Sequence, residues 1–72
     1  WYYNSELFVM NPTRHDLDVE VYNITGNHVK AFDAMPRQLT RKALNVRPGL
    51  YVVRISYGNQ VYITKIIAGN RW

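Results

Sequence analysis

Apolar and polar residues alternate along most of the chain, with the two-residue period of a strand. Leu17-Asp18-Val19-Glu20-Val21-Tyr22 shows it most cleanly. Leu17, Val19 and Val21 share one side and Asp18, Glu20 and Tyr22 the other, so one side meets a core and the other meets water. Asn23-Ile24-Thr25-Gly26-Asn27 breaks the pattern, and Gly26 supplies the positive φ of a hairpin loop. A further strand runs from His28 to about Asp33. Ala34-Met35-Pro36-Arg37 reads as a loop, because proline brings no N–H to a central strand. Leu39 to Val46 alternates less cleanly. Leu44 and Val46 share a side, and Leu39 to Leu44 is the one stretch where a helical turn could hide. Arg47-Pro48-Gly49 is a turn signal. It leads into Leu50 to Tyr57, the richest strand, with Tyr51, Val53, Ile55 and Tyr57 on the side expected to be buried and Leu50, Val52, Arg54 and Ser56 opposite. Gly58-Asn59 forms a two-residue hairpin turn, and Gln60 to Ala68 returns as the last strand. At the other end, Glu6 to Met10 is a first strand stopped by Asn11-Pro12.

Six or seven short strands, with a turn signal roughly every ten residues, predict an all-β fold. That pattern fits a β-sandwich or a small barrel, and the architecture expected is a small Ig-like antiparallel β-sandwich, residues 1–72 forming a single domain. The balance of 47% hydrophobic to 19% charged residues is that of a folding chain, not a disordered tail. At 72 residues the core is thin. The absence of cysteine removes disulfides, thiolate metal sites and cysteine nucleophiles. The longest apolar runs, Leu7 to Met10 and Leu50 to Val53, fall far short of the roughly 20 residues of a transmembrane helix. The start at Trp1-Tyr2-Tyr3, without an initiating Met, reads as a fragment of something longer or a processed product.

Charge is split along the chain. Residues 1–36 hold five acids against Arg14 and Lys30, a net −3, and residues 37–72 hold seven cations and no acid, a net +7. A basic half can attract phosphate, nucleic acid or anionic lipid head groups. An equally available role is a solvated face that keeps a small β-domain soluble.

Candidate chemistry is sparse. His15 stands beside Asp16, but neighbours on an extended chain point apart, so the pair implies no catalytic geometry. Asp16, Asp18 and Glu20 could align carboxylates for a calcium ion, yet calcium loops set their ligands on a tight turn and this is an extended strand. Asn23-Ile24-Thr25 fits the glycosylation pattern but lies where a hairpin turns, and is read as a turn. Tyr51, Tyr57 and Tyr62 near Arg54 and Lys65 raise an OB-like nucleic-acid binder. Against it, Tyr51 and Tyr57 share a face with Val53 and Ile55, and no run of basic, glycine and aromatic residues appears. The expectation is no catalytic residue, no metal, no cofactor and no nucleic-acid partner. A plain adhesion or structural β-sandwich is the other reading with the same fold.

The ordered set Asn11-Pro12, Leu17 to Gly26, Val29, Leu44-Asn45-Val46, Gly49 to Ile55 and Lys65-Ile66-Ile67 resembles the C-terminal sorting domain of the type IX secretion system of Bacteroidetes-type bacteria. The resemblance covers roughly residues 9–68. It implies a secretion address with no chemistry of its own. The attached protein would fold in the periplasm and meet the outer-membrane secretion machinery. It would then reach the cell surface or the medium, where a sortase-like peptidase cuts upstream and joins most cargo to anionic lipopolysaccharide. Some members keep the domain as a docking module. On this resemblance the recognition residues are Gly49, Tyr51, Arg54, Lys65, Ile66 and Ile67, and Asn11, Pro12, Gly26 and Gly58 are structural turns. Tyr51 is expected to cover one end of the sandwich with its hydroxyl in water, and Ile67 to pack in the core. Exposed strand edges would allow β-augmentation and self-association. Two features depart from the family pattern: Val9-Met10-Asn11-Pro12 replaces a Tyr-Pro-Asn-Pro-like run, and Ala68-Gly69-Asn70-Arg71-Trp72 extends beyond the last strand. Both bear on cleavage more than on fold, and they favour a retained domain.

Overall fold

The computed structural model describes residues 1–3 and 5–68. The tail 69–72, part of the extension noted above, lies outside the described residues. Within them the chain forms β1 (Tyr2–Tyr3), β2 (Glu6–Asn11), β3 (Leu17–Asn23), β4 (His28–Ala34), β5 (Gln38–Ala43), β6 (Gly49–Tyr57) and β7 (Gln60–Ala68). The strands make two sheets, ordered β1-β2-β5 and β4-β3-β6-β7, and every described pairing is antiparallel. This is the expected all-β sandwich.

The core follows from the alternation. Leu7 and Val9 of β2 meet Val19 and Val21 of β3 and Tyr51 and Val53 of β6, with Ala34, Leu44 and Ala68 closing the ends. Val21 stands directly opposite Val53 across the β3–β6 ladder. Burying a valine or leucine side chain contributes roughly 1.5–3 kcal/mol. Six valines and leucines, with two alanines and one tyrosine, make a small core, so the polar ties at the ends of the sandwich matter more than they would in a larger domain.

The stretch that could hide a helical turn is instead strand β5. Its inward positions, set by register against Asn11, Val9 and Leu7, carry Gln38, Thr40 and Lys42. A strand that overhangs the edge of a core has no apolar side to display, which is why its alternation is faint. The apolar return comes just after it, where Leu44 is buried and donates its N–H to Ser5 O at 2.8 Å.

Two turns behave as their residues require. Asn23 Oδ1 accepts from the N–H groups of Thr25 and Asn27 at 3.1 and 2.9 Å, holding the β3–β4 loop with Gly26 at φ 90°. Gly58 alone takes positive φ (57°) between Tyr57 and Gln60, the pattern of a glycine-first two-residue hairpin. Gly49 enters β6 at φ 159°, close to extended, and a Cβ there would meet only the Tyr51 ring at 3.9 Å.

The charge split resolves into cross-strand pairing. Acidic-half strands lie beside basic-half strands, bringing Glu20 to 3.0 Å from Arg54 across β3–β6 and Glu6 to 3.7 Å from Arg41 across β2–β5.

Candidate recognition surface

The six residues singled out for recognition do not form one patch. Register places Ile66 opposite Tyr51, both turned inward, while Lys65 and Ile67 stand opposite Val52 and Leu50 on the outer face. Arg54 is also on the outer face, held by Glu20. Gly49 starts β6 beside Ala68.

Tyr51 is buried, and its hydroxyl donates to Arg47 O at 2.7 Å. The expectation of a hydroxyl in water is therefore corrected. The bond spans the β5–β6 connection and reaches four residues upstream, the tyrosine corner of Greek-key sandwiches. Tyr57, expected on the buried side, lies at the end of β6, is partly exposed, and stacks on His15 with ring centroids 4.7 Å apart. The three tyrosines weighed for base stacking thus face three different surroundings, with Tyr62 in solvent.

Ile67 overturns the expectation that it packs in the core, being 77% exposed. The reason is parity. Ile66 takes the inward position, and the two-layer sandwich has no third layer to cover the outer face of β7. Tyr62 at 75% and Ile63 at 66% are exposed on opposite faces of the same strand, and Val61 joins them. Strand β7 is also the last in its sheet, hydrogen-bonded among the described residues only to β6. The sequence points the other way. Val61-Tyr62-Ile63 and Ile66-Ile67 put apolar residues on both parities, which elsewhere marks a strand buried on both sides.

The other edges differ in kind. β4, the opposite edge of the same sheet, carries His28, Lys30 and Asp33, and its pairing with β3 is broken by a register shift at Val21/Tyr22. β5 carries Arg41 and Lys42. Charges and bulges of this kind prevent edge-to-edge pairing. β7 has Lys65 alone among its nine residues.

On the outer face of β3, Tyr22 Oη donates to Glu20 Oε1 at 3.1 Å, and Arg54 Nη1 donates to the same oxygen at 3.0 Å. The bond to Glu20 holds the Tyr22 phenol above the ordinary tyrosine value of about 10, with desolvation and the Glu20 charge adding and Arg54 opposing. A raised folded value favours the protonated phenol. The contribution of this bond is therefore present below the unfolded value and lost as pH rises through the folded one. Ultraviolet titration should show a tyrosine component ionising above the ordinary tyrosine value, and Tyr22→Phe should remove that component. An unchanged titration in the variant would rule the assignment out.

Asn11 is the functional-looking residue that the turn reading undervalued. Its side chain is fully buried. Nδ2 donates to Ala34 O at 2.9 Å and His15 O at 2.7 Å, and Oδ1 accepts from Thr13 N–H at 2.9 Å. It ties the β2–β3 connection to the end of β4. Among the described residues, no three His, Asp or Glu side chains are grouped to hold a metal ion.

The described residues form a two-sheet antiparallel β-sandwich with a tyrosine corner. The secretion system C-terminal sorting domain matches it over residues 4–69, and the chain belongs to that family, the sorting domains of the type IX system. No curated protein and no solved structure matches it. The family is one of sorting signals, not of enzymes, and its members mark proteins for export toward the cell surface or secretion. They act with the secretion machinery.

Proposed function

We propose that the domain is read in its folded form by the outer-membrane translocon, and that β7 is the edge it reads. The family match carries the sorting role, and the open β7 ladder with its exposed apolar side chains supports the edge. An edge strand offers unpaired N–H and C=O groups, which give affinity, and alternating side chains, which give selectivity. The attached protein passes through the periplasm and is delivered to the surface. There a sortase-like peptidase releases it, or the domain stays as a docking module. The net +7 of residues 37–72 favours an anionic surface such as lipopolysaccharide at the destination, and binding there weakens as salt rises.

The test is a fusion of residues 1–72 behind a periplasmic reporter, in a type IX-competent strain and in one lacking the translocon. Surface delivery only in the competent strain is expected. A reporter held in the periplasm of both strains would leave a plain structural sandwich.

A further inference from the structure

Strand β1 does not stop at Tyr2. Phe8 N–H donates to Trp1 O at 2.7 Å, the Trp1 amino group donates to Phe8 O at 2.8 Å, and the two rings stack at 5.0 Å. In an antiparallel ladder such doubly bonded pairs alternate with unbonded ones. Phe8 and Met10 therefore turn their main-chain groups toward β1, and Leu7, Val9 and Asn11 turn theirs toward β5. The Leu44 N–H bond to Ser5 O obeys the same parity. β2 continues through Val9, Met10 and Asn11, and nothing among the described residues pairs with its open side there.

Beside this open side lies a groove. Two adjoining hollows share Val9, Met10 and Ile55. One, of about 200 Å³, is bounded by Trp1, Thr64 and Ile66, and the other, of about 420 Å³, by Pro12, Leu17, Tyr57 and Tyr62. The groove exists because β1 is two residues long and β7 is nine. Tyr62 and Thr64 turn inward with Ile55 and Val53 by register, yet stay exposed because no strand covers them.

We propose that this groove seats the polypeptide immediately preceding Trp1 in a protein that carries the domain at its C-terminal end, added as a three-residue extension of β1. The C-terminal placement rests on the sorting-domain reading. The ladder argues for this occupant, since Trp1 is already bonded at its mouth and points the chain along it. Register fixes the chemistry of the segment. The first preceding residue lies opposite Val9 with its side chain inward, where an apolar group fills the groove. The second exchanges two hydrogen bonds with Met10. The third lies opposite Asn11 and turns inward again. A peptidase needs its substrate strand free, so cutting is confined to the chain beyond that third residue.

Amide hydrogen exchange at Met10 tests the proposal, comparing the full-length carrier protein with the chain that begins at Trp1. Phe8, Val21 and Val53 serve as monitors of the intact fold in both. Exchange at Met10 at least about ten-fold slower in the carrier is expected. Aspartate at the first preceding residue, or proline at the second, should return it to the rate of the shorter chain. Equal Met10 rates in the two proteins, with the monitors protected, would overturn it. So would Met10 protection that grows with protein concentration, which marks a second copy. The measurement uses purified protein, so a reporter that fails to be exported would sink the sorting reading without touching this one.

Discussion

Asn11→Ala should destabilise the domain by about 3 kcal/mol, the largest loss expected from any single side chain outside the apolar core. The wild-type amide satisfies the carbonyls of Ala34 and His15 and the N–H of Thr13. Truncation leaves all three without it. The bond to Ala34 O is buried, and that carbonyl loses its partner at the full desolvation penalty, about 1–3 kcal/mol. The His15 and Thr13 groups are nearer water and recover part of theirs. A domain of this size has about 4–10 kcal/mol in total by per-residue averages, so roughly a third or more of it rests on one amide. The melting temperature should fall by about 10–20 °C. Asn11→Asp is the sharper variant. It keeps an acceptor for Thr13 but turns a carboxylate toward two carbonyl oxygens, so it should be no better than alanine. Urea titration followed by circular dichroism reads both. A loss under about 1 kcal/mol for alanine would show that water replaces the amide, and that the staple is not needed.

That residue also shows where sequence reasoning reached its end. The strands from Leu17 to Tyr22 and from Leu50 to Tyr57 could be read because their inward positions face a single core, and because Gly26 and Gly58 stand where the chain must take positive φ. Asn11-Pro12 was readable as a turn but not as a tie, since Ala34 lies 23 residues away and only the paired sheets bring it near. Tyr51 could be placed on the inner face by parity, whereas its bond to Arg47 depends on the path of the chain between β5 and β6. β5 was faint because a strand past the edge of the core needs no apolar side. β7 misled in the opposite direction. Its apolar residues on both parities suggested burial, and a thin sandwich with a two-residue β1 cannot supply it. The family resemblance pointed to the last two strands, and the structure separates that segment into an inward Ile66 and an outward Lys65 and Ile67.

This separation decides which substitutions can test the β7 edge. Changing Ile66 disturbs packing against Tyr51, so lost export would be uninterpretable. Ile63→Lys with Ile67→Lys changes only outer-face side chains, both largely in solvent. Surface changes of that kind usually move stability by less than about 0.5 kcal/mol. The new lysines place two charges beside Lys65 on an edge that otherwise carries a single charge, the device by which natural edge strands refuse a partner. Surface delivery of the fused reporter should fall at least about ten-fold, while urea midpoints stay near wild type. Ile24→Lys is the control. Ile24 is as exposed as Ile67 but sits on the β3–β4 loop, away from β7, so its replacement should leave export unchanged. Wild-type delivery by the double variant would remove β7 as the edge that is read. Equal losses from the control would mean that export responds to surface hydrophobicity in general, because only a localised edge can make one pair of isoleucines matter and another exposed isoleucine not.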